Sequence, residues 1–268
     1  GSVLEQGSGV PSFVGREGDP PTMAHVAYGD PIGGIYGAAS LLAALYHRQR
    51  TGAGQWINNT QIEAMLPFTA APVLYRQAMG REPPRRGNRH PRFVPHGIFP
   101  CRGADSWLAI AVTDEAGWQG LADHIGRKDW LADPDLATPD GRRAREAGIE
   151  AGIAEWTRRQ DASAAAADLQ ALGVSAAPVL PLHGIAADPH LRHRGFFYDV
   201  ERAHIGPERQ GGLPFRWNGV RYPMRGTAPF LGGDSERVLR DGLGLDAAHF
   251  QRLLADGIVS LKPTSLRS

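Results

Sequence analysis

The sequence predicts an α/β fold built from two domains. The segment Asp30–Thr51 is predicted to be one long helix, and its stretch Ala38–Tyr46 is rich in alanine and leucine, which is typical of a helix buried on more than one face. The apolar runs His96–Cys101 and Trp107–Val112 flank the turn Arg102–Asp105 and indicate two strands. Asp114–Ile125 then shows helical spacing of its apolar residues. Strands that alternate with helices indicate an α/β or α+β architecture.

The amino-terminal elements are predicted to be a loop, a helix, a short strand and a second helix. Residues 1–27 hold frequent glycine, proline and serine without a hydrophobic period, which predicts a loop. Asp30 is the expected N-cap, because Pro31 suits the first helical position, where its missing N–H would have been unpaired. A short strand at Trp56-Ile57 and a helix from about Thr60 follow.

A domain boundary is predicted in the polar segment Arg81–Arg92, where arginine and proline are concentrated. The elements predicted beyond the two central strands are helices at 144–159, 162–172 and 184–194, a strand at Val174–Leu180, a hairpin of Phe196–Glu201 with Leu213–Trp217, and helices within 235–257.

Composition excludes several classes of function. The chain has 268 residues with 29 basic and 28 acidic side chains, and its net charge of +1 gives no basic excess to indicate a nucleic-acid partner. No apolar run approaches the ~20 residues that a membrane span needs. Its single cysteine, Cys101, excludes an internal disulfide framework and fits a cytoplasmic location. No histidine pair has metal-ligand spacing with an acidic partner, so we expect no metal.

Two residue types have both a structural and a chemical interpretation. An aspartate at a helix start is most often a simple cap. The positive end of the helix dipole also favours a carboxylate at Asp30, and an oriented carboxylate beside glycine backbone is a workable nucleophile. Cys101 lies in a predicted strand, where a buried structural thiol is expected. The histidines His183, His190 and His193 are expected on the surface or at helix caps.

Several separated motifs occur in the order found in one enzyme family, and the chain resembles the family III CoA-transferases of the CaiB/BaiF type over roughly residues 4 to 259. The motifs are Gly29-Asp30, Arg50–Gln55, Ile62-Glu63-Ala64, Gly87–Pro91, Pro95–Pro100, Gly173–Val179, Asp188–Leu191 and Ala228–Gly232. Each motif alone is weak, whereas their joint order is specific.

The resemblance implies an incomplete Rossmann-like large domain and a small α+β domain. Residues 1–90 and 196–268 would form parts of the large domain, and residues 91–195 the small domain. Family members form interlocked dimers and begin with an additional α/β part of well over a hundred residues. We therefore expect a fragment or one half of a split enzyme, paired as a homodimer or with a chain that carries the missing N-terminal half.

The implied activity is transfer of coenzyme A from an acyl-CoA to a small carboxylic acid, without a metal or a membrane partner. Asp30 would be the catalytic nucleophile and would form aspartyl anhydride and aspartyl-CoA thioester intermediates. Gly29, Gly33, Gly34 and His96 would bind substrate, and the N–H groups at Gly33-Gly34 would hold oxyanions. The residues that bind the rest of coenzyme A are unknown. The arginines of 81–92 are interpreted as a solvated linker, with contact to CoA phosphates or a carboxylate substrate as the alternative.

Two alternatives remain at this point. The first is an α-methylacyl-CoA racemase, in which the aspartate works as an acid/base with a histidine that would fall just before residue 1. The Gly29-Asp30-Pro31 context and the segment Gly87–Pro91 favour the transferase. The second alternative is a catalytically incomplete fragment that docks with a partner chain.

Overall fold

The computed structural model describes residues 1–22, 27–202, 205–222 and 226–261 as a mixed α/β protein. The chain divides into two compact units, Gly1–Val179 and a second unit that starts at Leu180. The division predicted above, with residues 91–195 as the small domain, stays a prediction.

The first unit opens with helices. They are α1 (Ser2–Gly7), α2 (Gly29–Thr51), α3 (Gln61–Met65) and α4 (Ala70–Met79), with short 3-10 turns at Val10–Ser12 and Leu66–Thr69. Helix α2 ends at Gly52, whose φ of 75° places it in the left-handed region that glycine adopts without strain. Helix α4 ends in the same way at Gly80, with a φ of 68°.

A three-stranded antiparallel sheet forms the centre of the first unit. Its strands are β1 (His96–Pro100), β2 (Trp107–Ala111) and β3 (Ser175–Pro178), in the order β1-β2-β3. The register pairs Ile98 with Ala109 and Ile110 with Ala176. Leu108 and Ile110 are both buried and point to the same face, because side chains alternate along a strand.

Five helices lie between β2 and β3. They are α5 (Glu115–His124), α6 (Lys128–Ala132), α7 (Pro139–Ala144), α8 (Glu146–Thr157) and α9 (Ala162–Ala171). The Asp114 side chain caps α5 by accepting a hydrogen bond from the Gly117 N–H at 2.8 Å. Asp161 caps α9 in the same way. Such caps satisfy backbone donors that a helix start leaves unpaired.

The hydrophobic core joins these helices to one face of the sheet. Trp118, Leu121, Ile153 and Leu169 are at most 1% exposed, and the Trp118 ring stacks on Trp130 at 5.5 Å between ring centroids. Burying side chains of this size supplies most of the favourable free energy of folding.

The second unit is built from shorter elements. They are α10 (Leu182–Ala187), α11 (Pro189–His193), β4 (Phe197–Arg202), β5 (Gly206–Gly211), β6 (Arg216–Trp217), β7 (Val220–Arg221), a π-helical turn at Arg237–Gly242 and α12 (Ala247–Ala255). β4 pairs with β5 and β6 with β7, both antiparallel.

The strands and helices predicted from His96 to Leu172 and the final helices agree with the structure within a few residues. Three earlier predictions are wrong. Residues 1–27 include α1, Trp56-Ile57 is not a strand, and Phe196–Glu201 does not pair with Leu213–Trp217. Each of these two strands pairs instead with the nearer segment, because closing a short loop costs less entropy than closing a long one.

Burial of α2 also differs from the prediction. Only Gly29 and Gly33 of this helix are buried, whereas Ile35, Leu42 and Tyr46 are 69%, 67% and 61% exposed. The apolar composition of α2 therefore does not correspond to packing within the described residues.

The assignment of core residues can be tested with two leucines that are three residues apart. Leu169→Ala removes a side chain that is 0% exposed and should lower the free energy of unfolding by about 2–5 kcal/mol. Leu172→Ala alters a side chain that is 44% exposed and should change it by less than about 1 kcal/mol. Urea unfolding followed by circular dichroism measures both, and equal losses would contradict this core.

Candidate active site

Asp30 lies in the first turn of α2 as its second residue, two positions further into the helix than the predicted N-cap. The helix starts at Gly29, Tyr28 occupies the N-cap position, and no side chain caps the helix. The Asp30 N–H donates to the carbonyl oxygen of Ala27 at 3.0 Å. Pro31 fits here because the first backbone N–H groups of a helix have no intrahelical partner.

The Asp30 carboxylate is open to solvent. Its side chain is 55% exposed, and Oδ1 lies 3.3 Å from the amino nitrogen of Gly1. At the start of a 23-residue helix, backbone N–H groups and the helix dipole favour a negative charge. The carboxylate is thus accessible to another molecule.

The glycines of α2 divide into two sets with different surroundings. A Cβ on Gly29 would lie 2.9 Å from Leu4 Cβ, and a Cβ on Gly33 would lie 2.7 Å from Gln61 Cγ. The Asn59 side-chain amide also donates to the Gly33 carbonyl oxygen at 3.0 Å. These two glycines therefore permit close packing of α2 on α1 and α3.

Gly34 is different, because a Cβ there would have no described atom within 4 Å. It stands four residues after Asp30, so the two positions share one face of the helix. The carboxylate thus lies beside a stretch of helix surface without side-chain bulk, which leaves room for a reacting group.

Gly33 and Gly34 lie inside a continuous helix, where each backbone N–H donates to the carbonyl four residues earlier. This geometry does not favour their N–H groups as oxyanion donors, and their proposed role in substrate binding stays a prediction.

His96 starts β1, and its Nδ1 lies 2.6 Å from the carbonyl oxygen of Asn88. Its ring is 5.3 Å from the ring of His90, whose pKa is lowered by burial and by the neighbouring charges of His96 and two arginines. His96 lines a cleft formed with the linker and α8, and Asp30 is not among the residues that line this cleft. The described structure therefore gives no common pocket to the two predicted site residues.

The linker 81–92 is largely exposed, in agreement with the solvated segment predicted, and two of its arginines also anchor it. Arg85 Nε donates to the Ser12 carbonyl oxygen at 2.8 Å. Arg89 forms a bidentate ion pair with Glu150, with distances of 2.8 Å from Nε and 2.6 Å from an Nη. This pair raises the pKa of the Arg89 guanidinium further. Sequence reasoning missed Glu150 because it lies 61 residues from Arg89.

Other candidate groups have ordinary surroundings. Cys101 is a buried free thiol whose pKa is raised by burial, as expected for a structural cysteine. His183, His190 and His193 are exposed. Within the described residues no cluster of three metal-ligating side chains occurs. None of the helices in the described part of the chain is long and apolar enough to span a membrane.

Comparison with known proteins gives relatives that are CoA-transferases. The chain is 31% identical over 240 residues to a succinyl-CoA:mesaconate CoA-transferase of Haloarcula marismortui, covering 89% of this chain and 59% of the relative. It is 28% identical over 261 residues to a formyl-CoA:oxalate CoA-transferase of Escherichia coli O157:H7, covering 90% of this chain and 62% of the relative. The chain thus spans about 60% of the length of these curated relatives.

A solved structure supports the fold. A CaiB/BaiF family protein from Brucella suis matches with a TM-score of 0.77 and 24% identity, covering 89% of this chain and 61% of that chain. The family model described as CoA-transferase family III matches residues 1–235. The chain therefore belongs to CoA-transferase family III.

Proposed function

We propose that the protein transfers coenzyme A from an acyl-CoA to a small carboxylic acid, with Asp30 as the nucleophile. The observation that carries this proposal is the exposed Asp30 carboxylate beside the open surface at Gly34, in a chain of this family. Relatives named for succinyl-CoA with mesaconate and formyl-CoA with oxalate support a small acid as acceptor.

The proposed reaction begins when an Asp30 carboxylate oxygen attacks the thioester carbonyl carbon. The C–S bond breaks, which gives a mixed anhydride and the CoA thiolate. The thiolate attacks the Asp30 carbonyl carbon and releases the donor acid, so that Asp30 carries CoA as a thioester. The acceptor carboxylate repeats these two steps in reverse order, which forms the new acyl-CoA and frees Asp30. Covalent catalysis of this type divides one difficult step into easier ones.

The start of α2 would stabilise the negative charge that Asp30 carries before the first step and after the last step of this cycle. Asp30 must return to its anionic form after each turnover, and the positive end of the α2 dipole favours that form. The open face at Gly34 leaves space for the thioester next to the attacking oxygen. The steps need no metal and no electron transfer, and a cytoplasmic location stays a prediction.

We also infer that α2 is covered in the active assembly, by a second copy or by a different chain. The observation is the exposed apolar face of α2, which includes Ile35, Leu41 and Leu42 at 55–69% exposure. Contiguous apolar surface of this kind marks an interaction site in soluble proteins. The greater length of the relatives supports the same inference.

Asp30→Ala should abolish transfer in the active assembly, because it removes the carboxylate that would form the anhydride. Asp30→Asn should also be inactive while keeping the fold, since Asn is close in shape. Mass spectrometry after mixing with acyl-CoA should show an adduct on the Asp30 peptide. Asp140→Ala is the matched control, because Asp140 is likewise an exposed aspartate in the first turn of a helix. If the Asp30→Ala variant retained transfer activity, Asp30 would not be the nucleophile.

Substitutions at the neighbouring residues Gly33 and Gly34 distinguish a role in helix packing from a role beside the nucleophile. Gly34→Ala should stabilise α2 by up to about 1 kcal/mol, because alanine is the better helix former and meets no atom. It should nevertheless slow transfer, since its methyl group occupies the space beside Asp30. Gly33→Ala should lower the melting temperature, because its Cβ would displace Gln61. Melting curves and transfer rates measure both, and full activity in Gly34→Ala would remove that glycine from the site.

The exposed apolar face of α2 predicts that the chain associates with a second copy or with another chain. Light scattering should give a mass above 28.9 kDa for the chain alone or with its partner chain. Leu42→Glu places a charge on the exposed face of α2 and should weaken association. Leu182→Glu is the control, because Leu182 is 88% exposed but lies in the second unit. A monomer of 28.9 kDa at all concentrations, with no partner bound, would refute the inference.

A further inference from the structure

A small basic cavity of about 150 Å³ lies within the second unit, between the end of α11 and the β6–β7 hairpin. Each described residue that lines it belongs to the second unit, whereas Asp30, His96 and the linker arginines belong to the first. The cavity is smaller than the roughly 300–1,000 Å³ pockets that hold drug-sized ligands, so it has room for a small ligand only.

The cavity has a concentrated positive charge. Its described lining contains no acidic residue and three arginines, which are Arg194, Arg216 and Arg221. Outside the described part of this unit, residues 203–204, 223–225 and 262–268 also contain no aspartate or glutamate. With His190 counted as neutral, the lining has a charge of +3 in a chain whose net charge is +1.

The acidic residues nearest in sequence to Arg194 are engaged elsewhere. Asp188 caps α11 by accepting a hydrogen bond from the Leu191 N–H at 2.8 Å, and Asp199 accepts one from Arg209 Nε at 2.8 Å. The ion pairs described in the second unit are formed by other arginines, namely Arg202, Arg209, Arg237 and Arg240. The three cavity arginines therefore have no described carboxylate as a partner.

Backbone carbonyl groups hold the three guanidinium groups in place. An Nη of Arg194 donates to the Pro214 carbonyl oxygen at 3.1 Å, and an Nη of Arg216 donates to the Arg194 carbonyl oxygen at 2.7 Å. An Nη of Arg221 donates to the carbonyl oxygen of Phe197. A guanidinium group has five N–H donors, and a carbonyl oxygen accepts hydrogen bonds without cancelling the charge. The side chains are therefore oriented while their charges stay uncompensated.

Arg221 is the most enclosed of the three arginines. Its Cζ lies 3.3 Å from the centroid of the Tyr198 ring, so that one face of the guanidinium group is covered. Its Nε is buried without a hydrogen-bond partner among the described atoms, and such a donor costs free energy. A Cβ on Gly195 would lie 3.7 Å from Arg221 Nη1, so the missing side chain leaves the space beside this nitrogen open.

We propose that this cavity binds a small oxyanion with two negative charges through the guanidinium groups of Arg194, Arg216 and Arg221. Guanidinium pairs with phosphate and carboxylate oxygens in a bidentate way. Three uncompensated cations attract a dianion more strongly than a monoanion. The cavity has the volume of about five water molecules at ~30 Å³ each, which suits a phosphate group or a short dicarboxylate. The proposal goes beyond CoA transfer, because none of these arginines is assigned a role in that reaction.

Isothermal titration calorimetry of the 268-residue chain tests the proposal with two probes, inorganic phosphate and malonate. The ionic strength is held at about 0.15 M, where charges on the surface are screened beyond about 8 Å. We expect a Kd of about 1 mM or lower for at least one probe, and the stronger probe identifies phosphate or carboxylate as the preferred group. The absence of binding by both probes at about 10 mM would overturn the proposal.

Substitutions in the second unit distinguish the cavity from general charge attraction. Arg194→Ala and Arg216→Ala, each verified as folded by circular dichroism, should weaken binding about tenfold because each removes a charged donor. Arg192→Ala is the matched control, since Arg192 is an exposed arginine of α11 that does not line the cavity. Equal losses in all three variants would overturn the proposal.

Chemical labelling gives a second readout that needs no substitution. Phenylglyoxal modifies accessible arginines, and tandem mass spectrometry locates the modified residues. The bound probe should slow the labelling of Arg194 and Arg216 but not that of Arg192. Equal labelling of these arginines with and without the probe would contradict binding in the cavity.

Two further measurements separate this site from the transfer reaction. Asp30→Ala should leave binding of the probe unchanged, and so should saturating coenzyme A. A loss of binding in either case would make the cavity part of the transfer site and would overturn its assignment as a separate one. The proposal and the proposed role of Asp30 can therefore fail independently.

Discussion

The close approach of α2 to α1 and α3 fixes the position of the candidate nucleophile. Gly29 and Gly33 are one helical turn apart and lack side chains where Leu4 and Gln61 come nearest. In a helix, a residue one position later points about 100° away. Packing of the two glycines therefore turns Asp30 to a different face and leaves it exposed. Asp30 is therefore accessible because Gly29 and Gly33 have no side chains, which lets α2 pack closely on α1 and α3 through the neighbouring face.

A second constraint acts through the linker between α4 and β1. The bidentate pair of Arg89 with Glu150 and the contact of Arg85 with Ser12 hold this linker at two points in its middle. A bidentate arginine–carboxylate pair restricts orientation as well as distance. The linker therefore becomes one wall of a cleft, and the side chains of Arg81 and Arg86 form no ion pair with any described residue.

The sequence was sufficient for elements with a local signal and insufficient where distant residues decide. Asp114 and Asp161 cap helices that begin where their apolar period starts, so α5 and α9 could be predicted from short windows. The location of Asp30 near the start of α2 could be predicted from the residues around it, although the helix begins two residues earlier than expected. The role of Gly33 could not, because it depends on Gln61, which reaches it only in the folded chain. The apolar pattern of α2 predicted burial that the described residues do not provide, and nothing in the pattern says what would cover the helix.

Asp30 and Glu146 show how surroundings separate two carboxyl groups at helix starts. Both lie in the first turn of a helix, where the dipole favours negative charge. The Asp30 side chain is more than half exposed, so solvent reaches its carboxylate, which is compatible with the proposed attack on a carbonyl carbon. Glu146 is buried, and desolvation outweighs its arginine neighbours and raises its pKa. Exposure to solvent therefore distinguishes the two carboxyl groups, and of the two Asp30 is the one that is open to an incoming carbonyl group.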